Sequence, residues 1–273
     1  MTAEAPTTDI PRDRWGRPLI VPIDGGDPIA YTRVSTMAKT LDDLSNLMTW
    51  KQRKTAEGLL RRPDLLTRLA GVLANADPDT DWKAKREVNA VCDEATEAAS
   101  ASKGASAGTG FHALTEAIDR GEEPLFVPPA DAPRLDAYRA ATEGYTALDM
   151  ETFVVNDTLM AAGSFDRLWR CPDGRVRVGD LKTGKSEADY PLATTVQIAI
   201  YANSLRYHPT TGRAPLHDEL DLTTGLLVHM PPSGGCRVIP LDLEVGWRAA
   251  RTAANVHQIR KLKAADLIKG ALA

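Results

Sequence analysis

The chain has 273 residues, enough for one sizeable core or for a core with a helical extension, and its 26% charged and 43% hydrophobic content is ordinary for a globular protein. A formal net charge of −4 argues against a generic nucleic-acid coating protein. No apolar run approaches the roughly 18 residues of a membrane span, and the N-terminus lacks the basic and apolar regions of a signal peptide, so no membrane partner is expected and the expected location is cytoplasmic.

Residues 1–34 are rich in Pro, Gly and Asp and read as an extended arm with a short strand near Leu19 to Ile23. A helix is predicted from Ser35 to Gly58, with Ser35 as N-cap and Met37, Leu41, Leu44, Leu47 and Met48 on its apolar face. Helices follow over Pro63 to Ala74 and Asp81 to Ala101, the first with proline at its opening position. The Ala/Ser/Gly run from Ala98 to Gly108 reads as a hinge. Helices over Ala105 to Arg120 and Asp131 to Leu148 lead into strands near 150–156, 161–169 and 175–182. A helix from Leu192 to Tyr207, strands near 222–230 and 236–241 and a closing helix from Glu244 to Leu272 complete the pattern. This is an α/β chain: residues 1–104 form an arm and helical section, and 105–273 a core with a mixed central sheet flanked by helices.

The stretch from Gly163 to Tyr201 carries the chemistry. Cys171-Pro172-Asp173-Gly174 has the residues of a three-residue hairpin loop, with glycine at the left-handed position. If Cys171 pairs with Arg175, Asp166 falls opposite Asp180 on the next strand, with Cβ atoms about 5 Å apart. Side chains alternate along a strand, so Lys182 shares their face while Leu181 points into a core. Facing carboxylates repel unless a cation lies between them, and Mg²⁺ or Mn²⁺ with its oxygen ligands suits such a pair. The competing reading is a surface hairpin in which Asp166 and Asp180 pair with Arg167 or Lys182.

Gly163-x-x-Asp166, Asp180-x-Lys182-Thr183-Gly184 and Gln197-x-x-x-Tyr201 resemble the ordered motifs of the PD-(D/E)XK nuclease superfamily, in its RecB-like exonuclease branch. The upstream Gly108-Thr109-x-x-His112 with Glu116 resembles a further motif of that branch. The similarity covers Gly108 to roughly Tyr207, and is looser from Arg33 to Trp50. It implies a restriction-endonuclease-like core and a metal-dependent deoxyribonuclease acting on linear DNA ends, single- or double-stranded. Phage or bacterial recombination or repair would be the setting, and a homo-oligomer would be compatible with it. The resemblance further implies that Asp166, Asp180 and His112 are ligands of one or two ions, with the Leu181 carbonyl as a backbone ligand. Lys182 would orient water or offset charge at the scissile phosphate, and Gln197, Tyr201 and Glu116 would support the site and hold DNA. Glu151 reads as a solvated strand-edge charge or an outer acid. Some relatives hold an iron–sulfur cluster on four cysteines; here Cys92, Cys171 and Cys236 are three, with no C-x-x-C pair, so neither a cluster nor a structural zinc is expected.

Rival readings remain. Gly179 to Ser186 matches G-x-x-x-x-G-K-[ST], the phosphate-cradling P-loop of nucleotide hydrolases. A P-loop must pass directly into a helix, whereas Glu187, Asp189 and Pro191 intervene here, so the match is read as coincidental. A sequence-specific endonuclease on the same fold would use the same residues, and so would a DNA-binding module that has lost its activity. Basic clusters at Lys51 to Lys54, Arg61-Arg62, Lys83 to Arg86 and Arg260 to Lys263 read as solvated faces, one or two of which could track a DNA backbone, with Trp50 as a stacking partner.

Overall fold

The computed structural model describes residues 10–99 and 103–270, apart from the side chains of 103–109. The chain divides into two compact units: one of residues 43–111, and one that joins the residues up to Asp42 to those from His112 onward. The division differs from the expected one at 104/105, because the N-terminal segment contributes a strand and a helix to the sheet unit.

The 43–111 unit contains α2 (Ser45–Arg61), α3 (Pro63–Asn75) and α4 (Trp82–Ala98). Leu65, Val91 and Ala95 form its buried centre. The single helix expected from Ser35 to Gly58 is instead broken. Its first part is α1 (Val34–Ala38) with a 3₁₀ turn over Lys39–Leu41. Asp43 then starts a new helix by accepting both the Ser45 amide at 2.9 Å and the Ser45 hydroxyl at 2.6 Å, a local bond that competes with helix continuation. Helix α5 (Lys103–Asp119) follows, so the C-terminal part of the expected hinge is helical. Residues 100–102, and the side chains of Gly108 and Thr109, lie outside the described residues.

The sheet unit is an α/β structure with a mixed eight-stranded sheet. A separate hairpin, β1 (Leu19–Ile20) with β2 (Ile29–Ala30), precedes it. Its strands are β3 (Thr32–Arg33), β4 (Thr146–Asn156), β5 (Ala161–Arg170), β6 (Val176–Lys182), β7 (Leu205–His208), β8 (Gly212–Ala214), β9 (Thr224–His229) and β10 (Arg237–Asp242). The order is β10-β9-β6-β5-β4-β7-β8, with β3 parallel to β5 and β6 parallel to β9. The remaining helices are α6 (Ala132–Ala141), α7 (Leu192–Ala202), α8 (Leu243–Ile259) and the short α9 (Ala264–Leu267).

Parallel β6 and β9 require a crossover, and α7 supplies its helical part. Every residue of α7 from Thr194 to Ala202 except Gln197 is buried, as expected of a helix packed on more than one side. Glycines let it sit close: a Cβ on Gly225 of β9 would lie 2.5 Å from Ile198, and one on Gly246 of α8 would lie 2.7 Å from the Thr195 carbonyl. The core beneath α7 gathers Val34, Phe165, Leu168, Val178, Ile198 and Leu227, each large side chain worth roughly 1.5–3 kcal/mol of burial.

Three predicted helices end early. The expected Asp131 to Leu148 helix stops at Ala141, after which Gly144 turns with φ 82° and Thr146 pairs with Arg170. The expected Leu192 to Tyr207 helix stops at Ala202, and Leu205 and Arg206 pair with β4. The expected Glu244 to Leu272 helix stops at Ile259, beyond which the described residues, Leu262, Leu267 and Ile268 among them, are exposed and pack on no core; Leu272 lies outside the described residues. No helix among the described residues is long and apolar enough to cross a membrane.

Candidate metal centre

The hairpin between β5 and β6 closes as its loop residues require. The Cys171 amide donates to the Arg175 carbonyl at 2.8 Å, Gly174 takes φ 82°, and Asp173 accepts the Arg175 amide at 3.1 Å. The ladder then runs from Arg170↔Val176 to Arg167↔Gly179 and ends there. One step further, the Asp166 side chain occupies the gap between the strands, its Oδ2 accepting the Leu181 amide at 2.7 Å. Asp166 and Asp180 therefore come together at the end of a ladder rather than as a regular cross-strand pair.

The cause is visible on both sides of Asp166. Phe165 and Leu168 share the core beneath α7 although three residues apart, a spacing that strict alternation forbids. On β4, Met150 pairs with Arg167 and Thr152 with Phe165, while Glu151 between them has φ 48°, a conformation unusual for a non-glycine residue. Both strands are thus irregular at the same level, and Glu151 lies across from Asp166. Backbone strain of this kind costs about 1–3 kcal/mol and persists where the surroundings enforce it.

Asp180 is 1% exposed. Its Oδ1 accepts from Gln197 at 2.9 Å, and its Oδ2 meets Lys182 Nζ at 2.5 Å without a well-aligned hydrogen bond. Burial, then the charge of Asp166, pushes its carboxyl up to about 6 despite Lys182. Burial also raises Asp166, against the pull of Lys182 and the Leu181 amide. The Lys182 ammonium is raised: burial opposes its charge, but Asp180 and Asp166 more than restore it. Leu181 is buried, as alternation requires. Its amide faces Asp166, and in an extended strand the carbonyl of the same residue faces the same edge. The Met230 amide, by contrast, bonds the Lys182 carbonyl on the β9 side.

His112, on α5, has Nδ1 3.7 Å from Asp166 Oδ2. Its pKa is lowered, first by burial and also by Lys182 and Arg167, so the imidazole is held neutral and able to ligate. His112, Glu151 and Asp166 each bring one ligand atom within 4.8 Å of the others. Glu151 remains open to water, yet burial of its carboxylate, then repulsion from Asp166 and Glu116, pushes it up to about 7. Three carboxylates face one ammonium here, leaving negative charge without a protein cation. Oxygen donors with one imidazole fit a hard divalent ion.

The remaining predicted residues fall as follows. Gln197 and Tyr201 lie one turn apart on α7, with Gln197 Nε2 3.4 Å from the Tyr201 hydroxyl. Burial and the neighbouring carboxylates raise the Tyr201 phenol. A Cβ on Gly163 would meet that hydroxyl at 3.3 Å, which explains the glycine. Glu116 pairs with Arg120 at 2.9 Å. Asp180 is held by Lys182 and Gln197 and stands beside the His112–Glu151–Asp166 group rather than within it. Glu151 was undervalued by the sequence; counting the register of β4 back from its turn to β5 would have set it opposite Asp166. Downstream of Ser186 the chain forms turns, and α7 begins only at Leu192, unlike the helix a P-loop requires.

No family model matches the chain, and no curated protein matches its sequence.

Proposed function

We propose that this chain is a metal-dependent deoxyribonuclease with a restriction-endonuclease-like core, similar to the RecB-like branch of PD-(D/E)XK enzymes, that degrades DNA from its ends. The observation that carries this reading is the convergence of His112, Glu151 and Asp166 beside the buried Asp180–Lys182 pair, a group with more negative charge than the protein neutralises. Asp166, Asp180, His112, Glu151 and the Leu181 carbonyl would hold one or two Mg²⁺ or Mn²⁺ ions. Such ions activate water and offset charge on the phosphate and leaving oxygen. Lys182 places an ammonium beside the carboxylates, where it orients the attacking water or the phosphate. Gln197 fixes the Asp180 carboxylate and faces the side from which DNA approaches, while the buried Tyr201 supports it through its hydroxyl.

The test is to incubate end-labelled linear and circular DNA with EDTA, Mg²⁺ or Mn²⁺. Metal-dependent loss of linear DNA is expected, abolished by Asp166→Ala, Asp180→Ala and Lys182→Ala and retained by Lys185→Ala. Cutting of circles at defined sites would favour an endonuclease. DNA binding without any cutting in Mn²⁺ would favour an inactive module. Undiminished cutting by Asp180→Ala or Lys182→Ala would refute the assignment of roles.

A further inference from the structure

Arg33, Ser35, Thr36 and Lys39 from α1 and its flanks, with Arg260 and Lys261 from the end of α8, line an open pocket of about 630 Å³. The chain as a whole carries a net charge of −4, so four cations in one pocket need a cause. Cations in the last turn of α8 would complement its dipole, but that does not account for Arg33 and Lys39, which come from another element. Some cations elsewhere are neutralised where they stand: Lys54 and Arg61 pair with Glu57, and Arg62 pairs with Asp64. Among the described residues, no ion pair joins Arg33, Lys39, Arg260 or Lys261 to a carboxylate, although Asp42 lies near enough to feel the charge of Lys39. His257, also lining the pocket and bonded to the Thr32 hydroxyl at 3.2 Å, is lowered by burial and then by three cations, Lys261, Arg260 and Arg17. The local potential is therefore positive.

The chemistry of an open surface bearing spaced cations and hydroxyls is that of phosphodiester contact. A lone phosphate would need far less room. The pocket's α1 packs against β5, the strand that carries Asp166. Val34, between Arg33 and Ser35, lies 3.6 Å from a Cβ on Gly163, the position that also meets the Tyr201 hydroxyl.

We propose that this pocket grips the phosphodiester backbone of a nucleic acid at a point separate from the His112–Glu151–Asp166 cluster. The inference rests on the nuclease reading for the identity of its ligand, but binding and cutting are measured apart. A fluorescent oligonucleotide is titrated in EDTA, where no cutting occurs, against wild type, Arg260→Gln/Lys261→Gln and Arg33→Gln/Lys39→Gln. Each double variant should bind on the order of tenfold more weakly at moderate salt, with the slope of log K against log salt reduced by roughly two. Arg260→Lys/Lys261→Arg should bind like wild type, and Arg61→Gln/Arg62→Gln, which removes paired cations, should stay within about twofold.

Unchanged affinity in both pocket variants overturns the proposal, as does an equal loss in the Arg61→Gln/Arg62→Gln control. Inorganic phosphate that binds the pocket without displacing the oligonucleotide overturns it in favour of a small-anion site. If wild type cuts DNA and the pocket variants bind normally, the inference falls and the nuclease reading stands. If the pocket binds as described and no metal supports cutting, the reverse holds.

Discussion

Asp166 and Arg167 are neighbours on β5, yet their charges meet opposite surroundings. Arg167 is 1% exposed and fully engaged: its guanidinium donates to Asp119 at 2.5 Å, to the Thr115 hydroxyl at 3.2 Å and to the Asp166 carbonyl at 2.9 Å. Tyr138 donates to the same Asp119 carboxylate at 2.6 Å. Asp166, one residue earlier, faces Glu151, Asp180 and a neutral imidazole, with only the Leu181 amide and the Lys182 ammonium, which Asp180 shares, to oppose them. The first group is a satisfied network; the second keeps excess negative charge. A buried network whose members all have partners is an anchor, whereas a crowded one marks a place selected for something other than stability. The anchor also serves the centre: Thr115 and Asp119 lie three and seven residues after His112, on the same face of α5, so bonding them to Arg167 fixes the imidazole against β5.

The largest expected effect comes from breaking the anchor. Arg167→Leu would leave Asp119 buried without its cation, at a cost of about 3–5 kcal/mol in urea unfolding. Arg167→Leu/Asp119→Leu should recover much of that, because removing both charges avoids the unpaired one. A single variant within about 1 kcal/mol of wild type would show that the network does not hold α5.

Much of this contrast could be read from residue types. The Cys171-Pro172-Asp173-Gly174 loop specifies its own register, and that register delivered Asp166, Asp180 and Lys182 to one end of the hairpin. Turn chemistry is local, so it survives in the sequence. The irregularity shared by β4 and β5 is not local. It arises from packing on both faces, and no propensity at Glu151 announces a positive φ. The early ends of α6 and α7 were hidden for a related reason: Thr146 and Leu205 join a sheet whose edges only the tertiary structure defines. Burial of Arg167 was invisible too, since its partners Asp119 and Thr115 are some fifty residues away in sequence.

A second, smaller test uses a carboxylate on the satisfied side of the comparison. Burial alone would raise Asp221, but the Thr223 hydroxyl and amide, the Thr224 amide and Arg177 hold it down at about 2. A depressed acid contributes stability that is complete above its unfolded value of about 4 and lost as pH falls toward 2. Asp221→Asn should therefore cost about 1–2 kcal/mol at pH 6, and the gap from wild type should close as pH falls from about 4. A gap that is constant with pH would mean that hydrogen bonding rather than charge accounts for the effect.

The smallest effect has the opposite sign. Glu151 is pushed up to about 7, so in EDTA its ionisation costs the fold stability as pH rises from its unfolded value of about 4 through 7. Glu151→Gln keeps the shape and removes the charge. Because water still reaches this side chain, screening limits the gain to at most about 1 kcal/mol. At pH 8 with chelator the variant should melt at or above wild type, and near pH 4 the two should coincide. Adding Mn²⁺ should reverse the order at pH 8, raising the melting temperature of wild type more than that of the variant, since an ion that binds the folded state stabilises in proportion to its affinity. Loss of stability in EDTA at every pH would place Glu151 with Arg167 among the anchors, and the contrast between the two neighbours on β5 would then stop at Asp166.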